Sequence, residues 1–202
     1  MSADSYVSLV APGKPGGPLL FTFHGTGGDE RQFGPLGQEL LPDATVISPR
    51  GDVSEYGAAR FFKRTGEGVY DMDDLARATK KMVAFVKANI KKYQPSKVHG
   101  VGYSNGANIL ASTLFAAPQL FDASLLMHPL IPFEPDVSAK FKGERVLITA
   151  GRRDPICPPN LTTRLDAWLR NKGADVTLFW HEGGHEIRPE EFDAARAFFA
   201  ET

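Results

Sequence analysis

A serine flanked by glycines is the residue of this chain whose neighbours most clearly predict chemistry. Residues 98–108 read VHGVGYSNGAN, which places Ser104 in a G-x-S-x-G pattern between an apolar run and a helix-like segment. At a turn from strand to helix, glycines two residues to either side allow a strained serine backbone, and the hydroxyl then projects above the sheet. The pattern predicts a nucleophile. The alternative is a glycine-rich turn that contains a serine by chance.

An acid and a base are needed to activate such a serine. A serine hydroxyl is a weak nucleophile until a histidine, itself held by a carboxylate, takes its proton. Where a glycine-flanked turn carries the nucleophile, the chain order is Ser, then Asp or Glu, then His. Asp154 in VLITAGRRDPICP fits this order because it lies just past an apolar run, although an Asp-Pro turn residue is the alternative. Asp166 and Asp175 are worse placed, one within a helix-like segment and one before a strand-like run.

Two histidines follow the last strand-like run, in the stretch HEGGHEI. His181 to His185 matches H-E-x-x-H, but zinc binding by that pattern requires a helix. Two adjacent glycines between the histidines, and Pro189 soon after, predict a loop that leaves a strand instead. We expect no metal, and we expect His185 to be the base because it follows the flexible glycine pair. His181 is predicted to be half-exposed at the strand end, where its replacement would matter little.

An oxyanion hole is predicted from backbone amides. The stretch LLFTFHGTGGDE contains the end of a strand-like run. The natural donors are the backbone amides of Thr26, in this stretch, and of Asn105, the residue after the nucleophile. A phosphate-binding loop is the rival interpretation, but the stretch lacks the G-K-[ST] ending. His24 is predicted to be a structural histidine that orders this loop.

Substrate-binding residues are predicted less sharply. The long segment after the third strand-like run contains Arg60, Phe61 and Phe62, which could form the wall of a pocket. The alternative is aromatic packing beneath a surface loop. His128, in the stretch HPLIPF, could line the acyl side, and Ile156 is a further candidate beside Asp154.

The elements that position these residues alternate along the chain. Short, almost continuously apolar runs at 19–23, 45–48, 98–103, 123–127, 145–150 and 176–180 are typical of parallel strands covered on both faces. Residues 6–10 are predicted to add an antiparallel edge strand. Helices are predicted at 71–93, 106–117, 159–172 and 189–200. This alternation predicts a doubly wound, mostly parallel α/β sheet of about seven strands, with the chemistry at the carboxyl ends of the strands.

Composition limits the classes of protein and partner. The chain has 202 residues, 42% hydrophobic and 23% charged, with a formal net charge of −1. We expect one domain over residues 1–202, no inserted cap, and no nucleic acid or membrane partner. The N-terminus lacks an apolar signal segment, and the single cysteine, Cys157, fits a reducing cytoplasm and a packing role. A monomer or a homodimer is expected.

Five stretches occur in order along the chain: HGTGGDE, GYSNGAN, HPLIP, GRRDPIC and GGHEI. Together they resemble the small bacterial carboxylesterase/phospholipase branch of the α/β-hydrolases, kin to acyl-protein thioesterases and dienelactone hydrolases, and within it the MhqD/YahD-like hydrolases. The resemblance implies a lidless serine hydrolase with Ser104, Asp154 and His185 as triad. The chain departs from true dienelactone hydrolases, which use cysteine where Ser104 stands. Thr26 replaces the larger apolar residue common in the esterase branch.

The predicted function is therefore that of a serine carboxylesterase. It would cleave small esters through an acyl-enzyme, without metal or cofactor, in an open cleft suited to short acyl chains or compact aromatic esters. Two alternatives remain open. One is an acyl thioesterase with the same triad, and the other is a non-catalytic binding protein on the same fold.

Overall fold

The computed structural model describes residues 2–135 and 140–201 of the chain. Strands and helices alternate along these residues. The strands are β1 (Ser8–Ala11), β2 (Leu19–Phe23), β3 (Thr45–Pro49), β4 (Val53–Glu55), β5 (Ala58–Arg60), β6 (Arg64–Gly66), β7 (Val69–Tyr70), β8 (Val98–Tyr103), β9 (Ala123–Met127), β10 (Arg145–Gly151) and β11 (Asp175–His181). The helices are α1 (Gly34–Leu40), α2 (Met72–Tyr93), α3 (Asn105–Ala116), α4 (Pro159–Asn171) and α5 (Pro189–Ala200).

Seven of the strands form one central sheet in the order β1-β3-β2-β8-β9-β10-β11. β1 lies at one edge and pairs antiparallel with β3, while the pairs from β3 to β11 are all parallel. The carboxyl ends of the parallel strands therefore meet at one edge of the sheet, where loops after β2, β8, β10 and β11 can place side chains close together.

Helices cover both faces of this sheet. One apolar core lies between the sheet and helices α2, α3 and α4, and it contains Met82, Phe85 and Leu110 among others. The other core lies under α1 and α5 and includes Phe198 and Phe199. Because both faces are covered, β2, β3 and β9 are buried at every position, which explains their continuously apolar sequences.

The predicted α/β-hydrolase fold is confirmed. All seven strand-like runs form strands of the central sheet, and the four predicted helices are present with ends within one residue of the prediction. The antiparallel edge strand is also confirmed, although it begins at Ser8 rather than at residue 6.

Sequence patterns did not predict α1 or the two small hairpins, β4 with β5 and β6 with β7. α1 is short and contains two glycines and a proline, so its intrinsic helix propensity is low. Gly37 allows it to pack closely, since a Cβ there would lie 2.9 Å from Cγ1 of Val46. The hairpins have strands of two or three residues, too short for a period to be visible. They fold where a single long loop was expected.

None of the helices in the described part of the chain combines the length and the apolar character needed to span a bilayer.

Candidate active site

Ser104 lies at the sharp turn between β8 and α3, in the conformation that its glycine neighbours predict. Its backbone has φ 51° and ψ −116°, a strained combination for a residue with a side chain. A Cβ at Gly102 would lie 2.5 Å from the carbonyl oxygen of Gly106, and a Cβ at Gly106 would overlap the carbonyl of Phe23. Only glycine fits at both positions, so the motif reflects close backbone approach.

A histidine and an aspartate are connected to the serine hydroxyl by two successive hydrogen bonds. The distance from Ser104 Oγ to His185 Nε2 is 2.9 Å, and the distance from His185 Nδ1 to Asp154 Oδ2 is 2.7 Å. Ser104 comes from the end of β8, Asp154 from the loop after β10 and His185 from the loop after β11. The arrangement can move a proton from the serine hydroxyl to the imidazole, which the carboxylate orients.

The Asp154 carboxylate is buried and accepts four hydrogen bonds. Oδ1 accepts the backbone N–H groups of Ile156 at 2.8 Å and Cys157 at 2.9 Å. Oδ2 accepts from His185 and, at 2.9 Å, from Nδ1 of His128. Burial alone would raise the pKa of Asp154, but the hydrogen bonds from the two histidines hold it well below its usual range. The carboxylate is therefore ionised at neutral pH and can stabilise a positive charge on His185.

Thr26 and Asn105, whose backbone amides are the predicted oxyanion donors, lie beside Ser104. Asn105 is the first residue of α3, so its N–H has no partner within the helix. In the described residues, the N–H of Thr26 has no hydrogen-bond acceptor either. The Thr26 hydroxyl accepts from Arg60 at 2.7 Å, and the Asn105 side-chain oxygen accepts the N–H of Phe61 at 2.8 Å. These contacts fix both residues while leaving their amides free to receive an oxyanion.

His24 has the structural role that the sequence predicts. Its Nε2 accepts the N–H of Gly51 at 2.9 Å, so its proton lies on Nδ1, 2.7 Å from the carbonyl oxygen of Gly25. Burial lowers the pKa of His24, which keeps the ring neutral. The side chain thus ties the loop after β2 to the loop after β3.

A small cleft of about 30 Å³ opens beside Ser104. Arg60 and Ile156, both predicted to contact a substrate, line it. The other residues around the cleft are Thr26, Arg64, Glu67, Gly68, Tyr70, Ser104, Asn105, Asn108, Leu130 and Cys157. Tyr70 and Asn108, which no sequence pattern indicated, are hydrogen-bonded to each other at 2.8 Å.

Phe61, Phe62 and His128 do not line this cleft. The two phenylalanine rings are 0% exposed and belong to the core beneath α2 and α3, so the packing alternative describes them better than a pocket wall. His128 is also 0% exposed and lies behind Asp154, away from the acyl side. Direct contact with a bound molecule is therefore excluded for these side chains in this conformation.

A second cluster of polar side chains is buried behind the triad. Glu191, in the first turn of α5, lies 3.2 Å from Nε2 of His128 and 3.2 Å from Nε2 of His181. His181 is 5% exposed, so the expectation of a half-exposed strand end was wrong. The physical reason is that α5 crosses over the end of β11 and covers it. Glu191 follows a proline and reads locally as an ordinary acidic first-turn residue, so no sequence signal pointed to it.

The geometry around His181 argues against a zinc site despite the H-E-x-x-H match. His128, His181 and Glu191 offer ligand atoms within 4.8 Å of one another. However, Nδ1 of His181 accepts the N–H of Gly183 at 3.0 Å, which places the ring proton on Nε2, the nitrogen that a metal would need. The stretch from Glu182 to Glu186 is an irregular loop, as predicted, rather than a helix.

Cys157 is buried, and its thiol donates to the carbonyl oxygen of His128 at 3.2 Å. Burial raises the pKa of this thiol far above its ordinary value. The side chain therefore has the packing role that the sequence predicts.

Known proteins are similar to this chain in sequence and in fold. The profile of the dienelactone hydrolase family matches residues 56–190. The hydrolase MhqD of Bacillus subtilis is 38% identical over 186 residues, which cover 91% of this chain and 93% of that protein. A solved protein of unknown function from Agrobacterium tumefaciens is 59% identical with a TM-score of 0.96, over 100% of this chain and 98% of that one. The Bacillus cereus carboxylesterase is 35% identical with a TM-score of 0.93, over 98% of this chain and 95% of that one.

Proposed function

Because this chain belongs to the dienelactone hydrolase family, it is a hydrolase, and we propose that it acts as a serine carboxylesterase on small esters. The observation that carries the proposal is the line of hydrogen bonds from Ser104 through His185 to Asp154, at 2.9 and 2.7 Å. The similarity to the Bacillus cereus carboxylesterase supports the same class of reaction. Small-molecule esters are the expected partners.

The proposed mechanism begins with attack of Ser104 Oγ on the ester carbonyl carbon. His185 Nε2 takes the hydroxyl proton, and Asp154 stabilises the imidazolium that results. The amides of Thr26 and Asn105 donate to the oxyanion of the tetrahedral intermediate. The imidazolium then gives its proton to the departing alcohol, which leaves an acyl group on Ser104.

Hydrolysis of the acyl-enzyme uses the same groups in reverse. His185 takes a proton from water, the hydroxide attacks the acyl carbon, and the second tetrahedral intermediate is held by the same two amides. Collapse releases the acid and returns the proton to Ser104. No step requires a metal or a cofactor.

Covalent labelling tests this proposal most directly. A fluorophosphonate probe should label the folded wild type and should not label Ser104→Ala, whose fold can be checked by circular dichroism. Asp154→Asn should be labelled slowly, because loss of the correct histidine tautomer lowers kcat by roughly 10⁴-fold. Absence of labelling in the folded wild type would instead favour a binding protein that has kept the fold.

The substrate is proposed to be small because the cleft is small. A volume of about 30 Å³ lies well below the range of about 300–1,000 Å³ for ligand pockets. In a panel of p-nitrophenyl esters, we expect the acetyl and butyryl esters to be cleaved with higher kcat/KM than the long-chain esters. Preference for long acyl chains would contradict the assignment of this cleft to the acyl group.

An acyl thioesterase would use the same triad, so it remains the second candidate. Comparison of kcat/KM for matched oxygen and thiol esters of the same acid separates the two activities. A single domain, a cytoplasmic location and a monomeric or homodimeric state stay predictions from the sequence.

A further inference from the structure

His128 contacts the proposed catalytic aspartate from the side opposite to the proposed base. Its Nδ1 donates to Asp154 Oδ2 at 2.9 Å, the same oxygen that accepts from His185 at 2.7 Å. The side chains of His128 and Asp154 are both 0% exposed. Two backbone N–H groups already hold Oδ1. Because His128 also holds Oδ2, the carboxylate is fixed in the orientation that presents Oδ2 to His185.

The backbone of His128 is strained in a way that aims this ring. The residue has φ 50°, in the left-handed region that a side chain makes unfavourable. It directly follows β9, and its N–H donates to the carbonyl oxygen of Thr149 on β10 at 2.8 Å. Strained residues persist where surrounding contacts over-determine them, and they concentrate at functional sites. Here the strain turns the ring under the loop that carries Asp154.

Glu191 holds the other nitrogen of the same ring. Nε2 of His128 lies 3.2 Å from Oε2 and 3.3 Å from Oε1 of Glu191. The carboxylate also accepts the hydroxyl of Thr149 at 2.6 Å and the N–H of Arg188 at 2.7 Å. A carboxylate with these donors is ionised, and the hydrogen bonds offset the burial that would otherwise raise the pKa of Glu191.

The proton positions in this cluster follow from the hydrogen bonds. His181 carries its proton on Nε2, which lies 3.2 Å from Glu191 Oε1 and 3.4 Å from Nε2 of His128. A neutral His128 with its proton on Nδ1 would turn a nitrogen lone pair toward a carboxylate. A second proton on Nε2 removes that repulsion. Burial alone would lower the pKa of His128, but its hydrogen bonds to Asp154 and Glu191 raise it to about 9.

Groups from every neighbouring element that can carry charge or share a proton face this ring. They are Asp154 from the loop after β10, Glu191 from α5, His181 from β11, His185 from the loop before α5 and Tyr103 from β8, while the Cys157 thiol donates to the backbone carbonyl oxygen of His128. The two ionised carboxylates and one imidazolium sum to a charge of −1. Proton transfer from Ser104 to His185 would bring the buried group to neutrality.

We propose that His128 is a positioning residue for the esterase reaction: clamped as an imidazolium between Asp154 and Glu191, it fixes the carboxylate that orients His185. This role rests on the proposed function, because it acts through the triad and never through the substrate. Glu191 serves as the anchor of the imidazolium, and it connects α5 to the reaction although α5 contributes no residue to the cleft.

The protonation state can be measured in the unmodified protein, without reference to activity. Histidine-selective nitrogen-isotope labelling and NMR should show both ring nitrogens of His128 protonated at neutral pH, while His181 carries a proton on Nε2 alone. Assignment uses single histidine variants. A single protonated nitrogen on His128 at neutral pH would overturn the proposal, and so would a water-exposed ring that exchanges freely.

Two matched variants separate the contacts of the ring. In His128→Asn the amide nitrogen takes the place of Nδ1 and can donate to Asp154, whereas in His128→Gln it takes the place of Nε2 and can donate only to Glu191. We expect His128→Gln to lose kcat by roughly 10- to 100-fold, the range expected for loss of a hydrogen bond to a charged group, with KM nearly unchanged. His128→Asn should retain most of kcat.

The difference in kcat between the two variants is a readout that a purely structural role would not produce, because each variant loses one hydrogen bond of the ring and only His128→Asn keeps the donor to Asp154. Equal kcat in the two folded variants would refute the positioning role.

Failure of the two proposals can be distinguished. If the folded wild type neither hydrolyses esters nor reacts with a fluorophosphonate, the proposed function fails whatever the NMR shows. If the wild type is active and the variants behave alike, only the role of His128 fails. If neither variant folds, the protonation state in the wild type decides.

Discussion

Separate replacement of His185 and His181 by alanine distinguishes the chemical role of one histidine from the structural role of the other. In the proposed mechanism His185 Nε2, which lies 2.9 Å from Ser104 Oγ, takes the hydroxyl proton. Without it the remaining rate comes from the oxyanion hole and from binding, so kcat should fall on the order of 10⁴- to 10⁶-fold. The side chain is 17% exposed and lies on the loop after β11, so its removal should change the melting temperature little.

The His181 variant should behave in the opposite way. The side chain is 3% exposed and makes two contacts that alanine cannot make. Its Nε2 faces the Glu191 carboxylate at 3.2 Å, with Nε2 of His128 3.4 Å away, and its Nδ1 accepts the buried N–H of Gly183 at 3.0 Å. Loss of a hydrogen bond to a charged group and of a partner for a buried N–H costs about 3–5 kcal/mol together. For a chain of this size the melting temperature should drop by roughly 6–20 °C.

The assay is hydrolysis of p-nitrophenyl acetate at a temperature well below both melting transitions, alongside thermal unfolding followed by circular dichroism. His181→Ala should keep kcat within about tenfold of the wild type while it is folded. His181→Asn is the matched control, because its amide oxygen can still accept the N–H of Gly183. Equal losses of kcat in both folded alanine variants would refute the assignment, and an active His185→Ala beside an inactive His181→Ala would mean that His181 is the base.

Further expectations follow from the same structure. EDTA should leave the activity unchanged, because the His181 nitrogen that faces the cluster carries a proton and cannot bind a metal. The free energy of unfolding should fall between pH 6.5 and about 9, because folding raises the pKa of His128 from 6.5 to about 9. The stabilising contribution of a raised pKa is complete below 6.5 and is lost as the pH rises through the folded value, so urea unfolding of His128→Asn should depend less on pH across this window. Gly102→Ala should abolish esterase activity and lower the yield of folded protein, since its Cβ would lie 2.5 Å from the Gly106 carbonyl oxygen. Cys157→Ser should leave the response to peroxide unchanged, as assayed by residual esterase activity, because the buried thiol is not ionised.

The parts of this molecule that the sequence predicted are those in which one local pattern determines the outcome. Continuous apolar runs give buried parallel strands, and β2, β8 and β9 match their predicted limits without a shift. The glycines around Ser104 could be interpreted because backbone overlap leaves no other residue type possible. The short hairpin strands and α1 carry no comparable pattern, since their stability comes from contacts with distant elements such as Val46 beneath Gly37.

Long-range polar contacts explain the errors at the site itself. His128 was predicted to line the acyl side because it follows a strand at the reactive edge, and His181 was predicted to be half-exposed because it ends one. Both expectations failed because α5 brings Glu191 across the sheet, 63 residues along the chain from His128, and buries both rings. Because Glu191 is so far along the chain from His128, no local periodicity or spacing in the sequence indicates that the two side chains are in contact.

The H-E-x-x-H spacing has a structural origin that does not involve metal. His181 and His185 lie on two sides of His128, with ring centroids 5.3 and 5.2 Å from it. The chain between them passes so closely over Gly151 that a Cβ there would overlap the carbonyl of Gly184, so only glycine fits at position 151 beneath this turn. The turn places one histidine beneath the cluster, against Glu191, and returns the other to Asp154 at the cleft. A separation of four residues lets the chain pass from the buried end of β11 to the proposed triad. The match to a zinc pattern results from this spacing.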